Sequence, residues 1–562
     1  MLTNSHEMGQ VRHIHEVELV PYDKTYYVLT HGEEGLTLMK KQTFIQGTMI
    51  LLAAGIINRI LGFIPRIVLP RLIGAEGVGL YQQGYPFFIV IVTLITGGIP
   101  LAIAKLVAEA ESYGDVKASE KILKTSLFFT LTAGTVFTAL CLLFAPFVTS
   151  RILTDERVYY TFVSMTPMIL IVAVSSVYRG YFQGKQNMIP SASSSIAETL
   201  MRILCVLWFS YLLLPKGIEF AAAGAMLGAV AGELIGMFVL LWQHERNRKA
   251  GIMVPAPMPQ SHKTKMESKS IFKRIMSISI PVTAGRLVGS ISYLLETIVT
   301  AQSLALAGFT KAIATAQYGA MQGMVIPLLL LPGALTSSLA TSLVPSLSEA
   351  AARKDYKTIH KRMHQSLRLA LVTGGPFAVI MYVLAEPLCL LLYNNSSIAD
   401  MLRTMSPFAL FIYTQAPLQA ALQALERPGK ALFNTMLGAI IKISLILYLA
   451  SKPEYGIYGA IIAICINALV VTLLHGRSLK QLLGFRFRWL DALKVGTGMI
   501  IMAAVVEYLF HHLPWPSILF LQFLASSFIG LLLYLSVMAA CRLIDLHDLS
   551  RVPILGAWIR RK

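Results

Sequence analysis

Apolar runs of about twenty residues recur along nearly the whole chain, with short polar turns between them. A bilayer core needs about 20 apolar residues per helical crossing. Windows of that length give fourteen candidate spans, near 44–68, 80–104, 122–148, 158–180, 191–214, 219–242, 274–301, 316–345, 365–387, 401–424, 430–450, 456–475, 492–511 and 517–541. Glycine and proline interrupt two of them: Gly84, Pro86, Gly97, Gly98 and Pro100 in the second, Pro327, Pro332 and Gly333 in the eighth. Breakers at corresponding places in two halves predict helices that bend and line a cavity. The expected fold class is an all-α polytopic membrane protein with about 14 transmembrane helices.

The pattern is written twice. Residues 109–131 (EAESYGDVKASEKILKTSLFFTL) align with 349–371 (EAAARKDYKTIHKRMHQSLRLAL), with eight of 23 positions identical. Among these are Glu109/Glu349, Asp115/Asp355, Lys117/Lys357 and Ser126/Ser366. The offset of 240 persists downstream, where it pairs Thr166-Pro167 with Ser406-Pro407 and Gln183 with Gln423. Six spans per copy send the second copy into the membrane in the same direction as the first. Parallel repeats of this kind form two lobes around a central path. The predicted organisation is a polar extension over 1–41, a first lobe over 42–243 and a basic linker over 244–270. A second lobe follows over 271–478, then two unmatched spans and a tail over 479–562. Met39-Lys40-Lys41 just ahead of the first span resembles a natural start, so residues 1–38 are expected to be a misassigned start or a dispensable extension.

Composition removes the soluble classes. Apolar residues make up 55% of the chain and charged residues 14%, and mean hydropathy is +0.65. The net charge of +19 would suggest nucleic acid in a soluble protein. Here the cations cluster in alternate loops (Lys117, Lys121 and Lys124; Arg353 to Arg362; Arg477 to Arg488; and the 243–273 connection), while NNSSIAD (394–400) and HHLPWP (511–516) are poor in them. The positive-inside rule then puts both termini and the linker in the cytoplasm, with no nucleic-acid partner. The five cysteines fall in apolar helices at no regular spacing and read as small buried hydrophobes. No P-loop, HExxH or GxSxG motif is present, so nothing supports an enzyme and no cofactor is expected.

Ionisable residues inside spans need a partner, a wet cavity or a role. In the first span Gly55, Arg59, Gly62 and Arg66 share one stripe. The matching helix of the second copy carries Arg286, Gly289 and, ten residues beyond Arg286, Glu296, here at an offset of 227. Glu198 and Arg202 lie one turn apart in the fifth span, and Arg202 meets Lys442 at the offset of 240. Matched cations facing one cavity suit a phosphate or pyrophosphate, which Arg clamps bidentately and Lys meets as a point charge. The bland alternative is structural ion pairing, Arg202 with Glu198 and Arg286 with Glu296, with Arg66 snorkelling to the headgroups. Glu296, Glu233 and Glu198 are candidate sites for H⁺ or Na⁺ coupling.

The segments RILGFIPRIVLPRLIGAEGVGLYQ (59–82), KLVAEAESYGD (105–115), SSVYRGYFQGKQNMIP (175–190) and GIEFAAAGAMLGAVAGE (217–233) resemble the polysaccharide-exporter branch of the multidrug/oligosaccharidyl-lipid/polysaccharide superfamily. ETIVTAQSLALAG (296–308), QYGAMQGM (317–324) and LVPSLSEA (343–350) extend the resemblance. It implies a V-shaped, alternating-access carrier that exports lipid-linked sugars across the cell membrane, with spore-cortex peptidoglycan as the expected pathway. The related lipid II flippases share the R-x-L-G-F opening, which falls on Arg59. Where they continue with an Arg-Asp pair, this chain has Pro65 and Arg66; their second-helix arginines fall near Val92 and Thr93, and their eighth-helix basic residue near Gln317-Tyr318. The expected substrate is therefore an undecaprenyl-pyrophosphate-linked sugar, with Arg59, Arg286, Arg202, Lys442 and Arg66 at its headgroup. The alternatives are an organic-cation antiporter of the same superfamily and a non-transport scaffold for cell-wall synthesis proteins.

Overall fold

The computed structural model describes residues 44–249, 268–512 and 518–543, together with Pro21–Tyr22 and Thr25–Tyr26, which pair as a short antiparallel ladder. The expectations for most of the N-terminal extension, the centre of the linker and the C-terminal tail lie outside the described residues.

The first copy comprises α1 (Phe44–Leu61), α2 (Phe63–Thr96), α3 (Ile99–Ser112), α4 (Val116–Phe147), α5 (Val158–Gly184), α6 (Ile189–Leu213) and α7 (Ile218–Lys249). The second comprises α8 (Ser268–Leu306), α9 (Lys311–Gly319), α10 (Ile326–Leu330), α11 (Gly333–Ala352), α12 (Tyr356–Val383), α13 (Ala385–Tyr393), α14 (Ala399–Met405), α15 (Ala409–Ala424), α16 (Pro428–Leu449) and α17 (Ile457–Leu483). The unmatched pair is α18 (Trp489–His512) and α19 (Leu519–Ala540). Twelve helical stretches among the described residues are long and apolar enough to cross a membrane. One of them, Met49–Ser112, is 64 residues long and breaks at Gly74 (φ 68°, ψ −179°), a conformation essentially reserved for glycine, so it has the length for two crossings. The 401–424 segment, read from sequence as one span, is divided by a 3₁₀ turn at Ser406–Phe408 and does not reach that length as a single helix.

Both interrupted spans are broken, at Gly97-Gly98 and at Leu331-Pro332, while Gly84, Pro86 and Pro327 stand inside helices. Helix α2 ends at Thr96 and α3 begins at Ile99. The eighth span runs through α9, a π-helix at Ala320–Val325, α10 and α11.

The duplication is visible in backbone geometry. At the offset of 240, non-standard turns recur in pairs: Gly114 (φ 68°) with Lys354 (φ 56°), Thr154 (φ 63°) with Asn394 (φ 53°), and Gln186 (φ 57°) with Glu426 (φ 58°). After the first pair, Asp115 caps α4 by accepting from the Ala118 N–H at 2.9 Å, and Asp355 caps α12 by accepting from the Thr358 N–H at 3.0 Å. Each caps an orphan donor at a helix start, which explains why the aspartates are shared.

The copies meet most tightly where α2 crosses α9 and the π-helix. A Cβ on Gly79 would lie 2.0 Å from the Thr315 carbonyl oxygen, and one on Gly319 would lie 2.1 Å from that of Ala75. Beside this crossing, the turn between α4 and α5 reaches the second copy. Asp155, 2% exposed, accepts from Thr315 Oγ1 at 2.8 Å and from Arg157 Nη2 at 2.9 Å. Arg157 also pairs with Glu76 at 2.5 Å, and Gln83 Nε2 donates to Thr315 Oγ1 at 3.2 Å. This network ties the turn before α5 to α9 of the second copy.

Helix α8 belongs to both halves. Its Ile271 and Ile275 pack among Leu106, Val107 and Tyr181 of the first copy, while Leu304 packs with Tyr318 and Met321 of the second. Arg274 of α8 also pairs with Glu109 of α3 at 2.7 Å. Helices α18 and α19 pack on α12 through Met502, Val506, Tyr534 and Leu371. All five cysteines are free; Cys141, Cys389 and Cys465 are buried and Cys205 and Cys541 half-buried.

Candidate substrate-binding site

A cavity of about 500 Å³ opens between α1, α2 and α6, with Gly323 of the second copy on its wall. That is within the usual size of small-molecule sites, about 300–1,000 Å³. Arg59, Arg66 and Arg202 all line it. The stripe of α1 and early α2 supplies the first two, and both are exposed. Arg59 Nη1 donates to Ser337 Oγ of α11 at 3.0 Å, reaching across to the second copy.

Arg202 is placed by an unusually close helix pair. Gly224, Gly228, Gly232 and Gly236 repeat every fourth residue on α7 and turn one glycine face to α6. A Cβ on Gly228 would lie 2.3 Å from the Val206 nitrogen, and one on Gly232 would lie 2.7 Å from Arg202 Cβ. Small residues at this spacing let membrane helices approach closely without a hydrophobic driving force. The approach brings Glu233 of α7 to Arg202 at 2.9 Å. Arg202 also bonds Glu198, and Arg179 of α5 pairs with the other Glu198 oxygen at 2.6 Å. Two half-buried guanidinium groups and two buried carboxylates thus form one cluster of balanced formal charge, with Arg202 and Glu198 on the cavity wall. One oxygen of Glu233 and the Nε atoms of Arg179 and Arg202 have no hydrogen-bond partner among the described residues.

The second copy builds a smaller counterpart. Lys442 of α16 bonds Glu296 of α8, and Gln322 Nε2 of the π-helix donates to the same carboxylate at 2.8 Å. Lys442 and Glu296 are each under a tenth exposed. The partner of Glu296 is therefore Lys442 rather than Arg286. Arg286 is exposed on α8, and neither it nor Lys442 lines the cavity. The structure thus gathers Arg59, Arg66 and Arg202 at one wall, with Glu198 also lining the cavity and Glu233 just behind it. It sets Lys442 and Glu296 apart as a closed pair.

Three contributors escaped the sequence reading. Arg179 stands in the quoted VYRGYFQG segment, but nothing in its spacing points to Glu198, which lies 19 residues on. The other two, Tyr81 and Tyr85, lie one turn apart on α2, both on the cavity wall, with rings 6.4 Å apart and inclined by 14°. The four-residue glycine repeat of α7 was the legible signal for the α6–α7 approach.

A polysaccharide biosynthesis protein model matches residues 44–351, more than half of the chain, and a MatE model matches 289–447. The chain is 41% identical to stage V sporulation protein B of Bacillus subtilis (strain 168) over 535 residues, covering 93% of this chain and all of that protein. It is 26% identical to the lipid II flippase MurJ of the same organism, over 84% of this chain and 88% of the flippase. Among solved structures, an inward closed conformation of lipid II flippase MurJ superposes with a TM-score of 0.66 at 17% identity, covering 88% of this chain and 98% of that one. An inward-facing MATE-family multidrug transporter of the MOP superfamily superposes with a TM-score of 0.59 at 14% identity, over 78% of this chain and 98% of the transporter. These structural likenesses carry the fold, a MATE-like, multi-pass α-helical membrane architecture. On the strength of the family match and the full-length relative, the chain belongs to the polysaccharide biosynthesis protein family.

Proposed function

We propose that this protein is a flippase that moves an undecaprenyl-pyrophosphate-linked sugar, most specifically lipid II destined for spore-cortex peptidoglycan, across the cell membrane by alternating access. The observation that carries this reading is the cavity lined by Arg59, Arg66 and Arg202 between membrane helices. Guanidinium groups in a low-dielectric cleft favour concentrated negative charge and clamp phosphate oxygens bidentately. The polyprenyl tail stays among membrane lipids while the headgroup crosses. Arg286 and Lys442 are proposed to act outside the initial cavity, Arg286 on the open face of α8 and Lys442 as the fixed partner of Glu296.

An organic-cation antiporter would need free acids in the cleft. Glu198, Glu233 and Glu296 each already hold a cation, which favours the anionic substrate. A coupling H⁺ or Na⁺ at any of these acids would first have to displace an ion-pair partner. The basic loops 117–124, 353–362 and 477–488 are assigned to the cytoplasm together with both termini. The Asp155–Thr315 network then lies at the outer end.

The test is lipid II translocation in proteoliposomes containing the full chain, beside Arg59→Ala and Arg66→Ala variants. Wild-type translocation, cut roughly tenfold or more in each folded variant, is expected from the loss of one charge-assisted contact of about 1.5–3 kcal/mol. Absence of translocation by wild type over a range of lipid compositions would overturn the lipid II assignment.

A further inference from the structure

The stacked tyrosines of α2 have no task in the headgroup reading above. Both line the cavity, and their rings run nearly parallel. Each is half-buried: the rings pack against the first-copy core around Phe88, Phe162 and Met165 and leave part of their surface open to the cleft. Neither phenol hydroxyl has a hydrogen-bond partner among the described residues. Asn58, which also lines the cavity, donates to Ser195 at 2.6 Å. Open phenol hydroxyls beside a rigid aromatic surface are what a ligand with both apolar faces and hydroxyl edges would complete.

The charges decide which ring-shaped ligand fits. Arg66 and Arg202 act electrostatically on both tyrosines, and Glu198 and Glu233 act on Tyr85 as well. Because those two acids already pair with Arg202, the surplus charge comes from Arg66 and Arg59 on the same cavity, and it disfavours a planar cation on the aromatic faces. A neutral sugar ring is not: its C–H face carries partial positive charge that suits the negative face of a tyrosine ring, and its hydroxyls can pair with phenol and amide groups. The arginines and tyrosines line one cavity, as a sugar joined directly to a pyrophosphate requires.

We infer that Tyr81 and Tyr85 form a sugar platform beside the arginines, so that the site recognises the first pyranose rings of the substrate as well as its pyrophosphate. This rests on the lipid-linked-sugar reading and adds to it a preference for glycosylated over bare lipid pyrophosphate.

The experiment is equilibrium binding of two probes, lipid II and undecaprenyl pyrophosphate, to the purified full chain, with phosphatidylcholine as the neutral control. Wild type is compared with Tyr81→Ala, Tyr85→Ala and the two Tyr→Phe variants, all with unchanged unfolding temperature. The expected result is a roughly three- to tenfold loss of lipid II affinity in each alanine variant. Binding of undecaprenyl pyrophosphate should stay within about twofold, and the phenylalanine variants should keep most lipid II affinity. Equal weakening of both probes, or no weakening of either, overturns the platform while leaving the flippase reading intact. Wild type binding neither probe above phosphatidylcholine overturns the flippase reading itself.

Discussion

Lys354 holds φ at 56° in the turn where the first copy has Gly114 at 68°. A side chain in the left-handed region costs roughly 1–2 kcal/mol, and glycine does not. Lys354→Gly is therefore expected to stabilise the protein by about 1 kcal/mol and Gly114→Ala to destabilise it by a similar amount, as read from unfolding curves in detergent. The arginines separate by the same physical reasoning. Arg202→Ala strips the buried Glu233 of its cation and is expected to cost about 3 kcal/mol of stability. Arg66→Ala leaves no such orphan and should reduce translocation with the fold intact. Sequence made the cations of the cavity legible because ionisable residues stand out in apolar runs. The Arg202–Glu198 pair, one turn apart, was legible as the structural alternative, but the further partners Glu233, 31 residues from Arg202, and Arg179 were not. Tyr81 and Tyr85 stayed hidden because tyrosines are ordinary in membrane helices and only the cavity separates them from packing.

At the scale of elements, the crossing of α2 over α9 makes a wedge experiment possible. Gly79→Ala places a methyl group against backbone of the opposite copy, where nothing flexible can yield. The expected outcome is a bias toward opening at that end. A cysteine placed at Ser195 should then become reactive to a membrane-impermeant maleimide from outside. The Asp155 network at the same end is sensitive to pH. Burial pushes the Asp155 carboxyl up, but hydrogen bonds from Arg157 and Thr315 outweigh it and hold the group below the usual carboxylate range. A depressed value means that the contribution is complete above the unfolded aspartate value of about 3.9 and is lost as pH falls through the folded one. Unfolding temperature should drop over that acid window in wild type and drop less in Asp155→Asn. The helices themselves were readable from hydropathy, and the breaks at Gly97-Gly98 and Pro332 from their breakers. The division of the 401–424 segment was not, because its apolar composition is continuous while its backbone turns at Ser406–Phe408.

For the molecule as a whole, the duplication was evident in sequence, and the paired turns at one offset carry it into backbone geometry. Less evident was that α8 is shared. At 39 residues it spans about 58 Å, with one end among first-copy residues and the other among second-copy residues. Any rotation of one half against the other must bend it, and Pro281 with Gly285 and Gly289 stands between its anchored ends. A Cβ at either glycine would meet no atom within 4 Å. The double variant Gly285→Ala/Gly289→Ala is thus expected to stiffen the helix by about 1 kcal/mol per site, slowing translocation while leaving lipid II binding unchanged.

The closed pairing of the buried charges also has an electrical side. Arg179 and Arg202 are balanced by Glu198 and Glu233, and Lys442 by Glu296, so neither cluster moves net charge through the membrane field when the lobes swing. Arg59 and Arg66 remain on the cavity, and each elementary charge that crosses the field feels about 2.3 kcal/mol per 100 mV. If the proposed pyrophosphate substrate binds there, it cancels that charge, and the loaded carrier would be indifferent to voltage. On that reading the empty carrier stays cationic, and an inside-negative potential would draw its vacant cavity back toward the cytoplasm without a nucleotide.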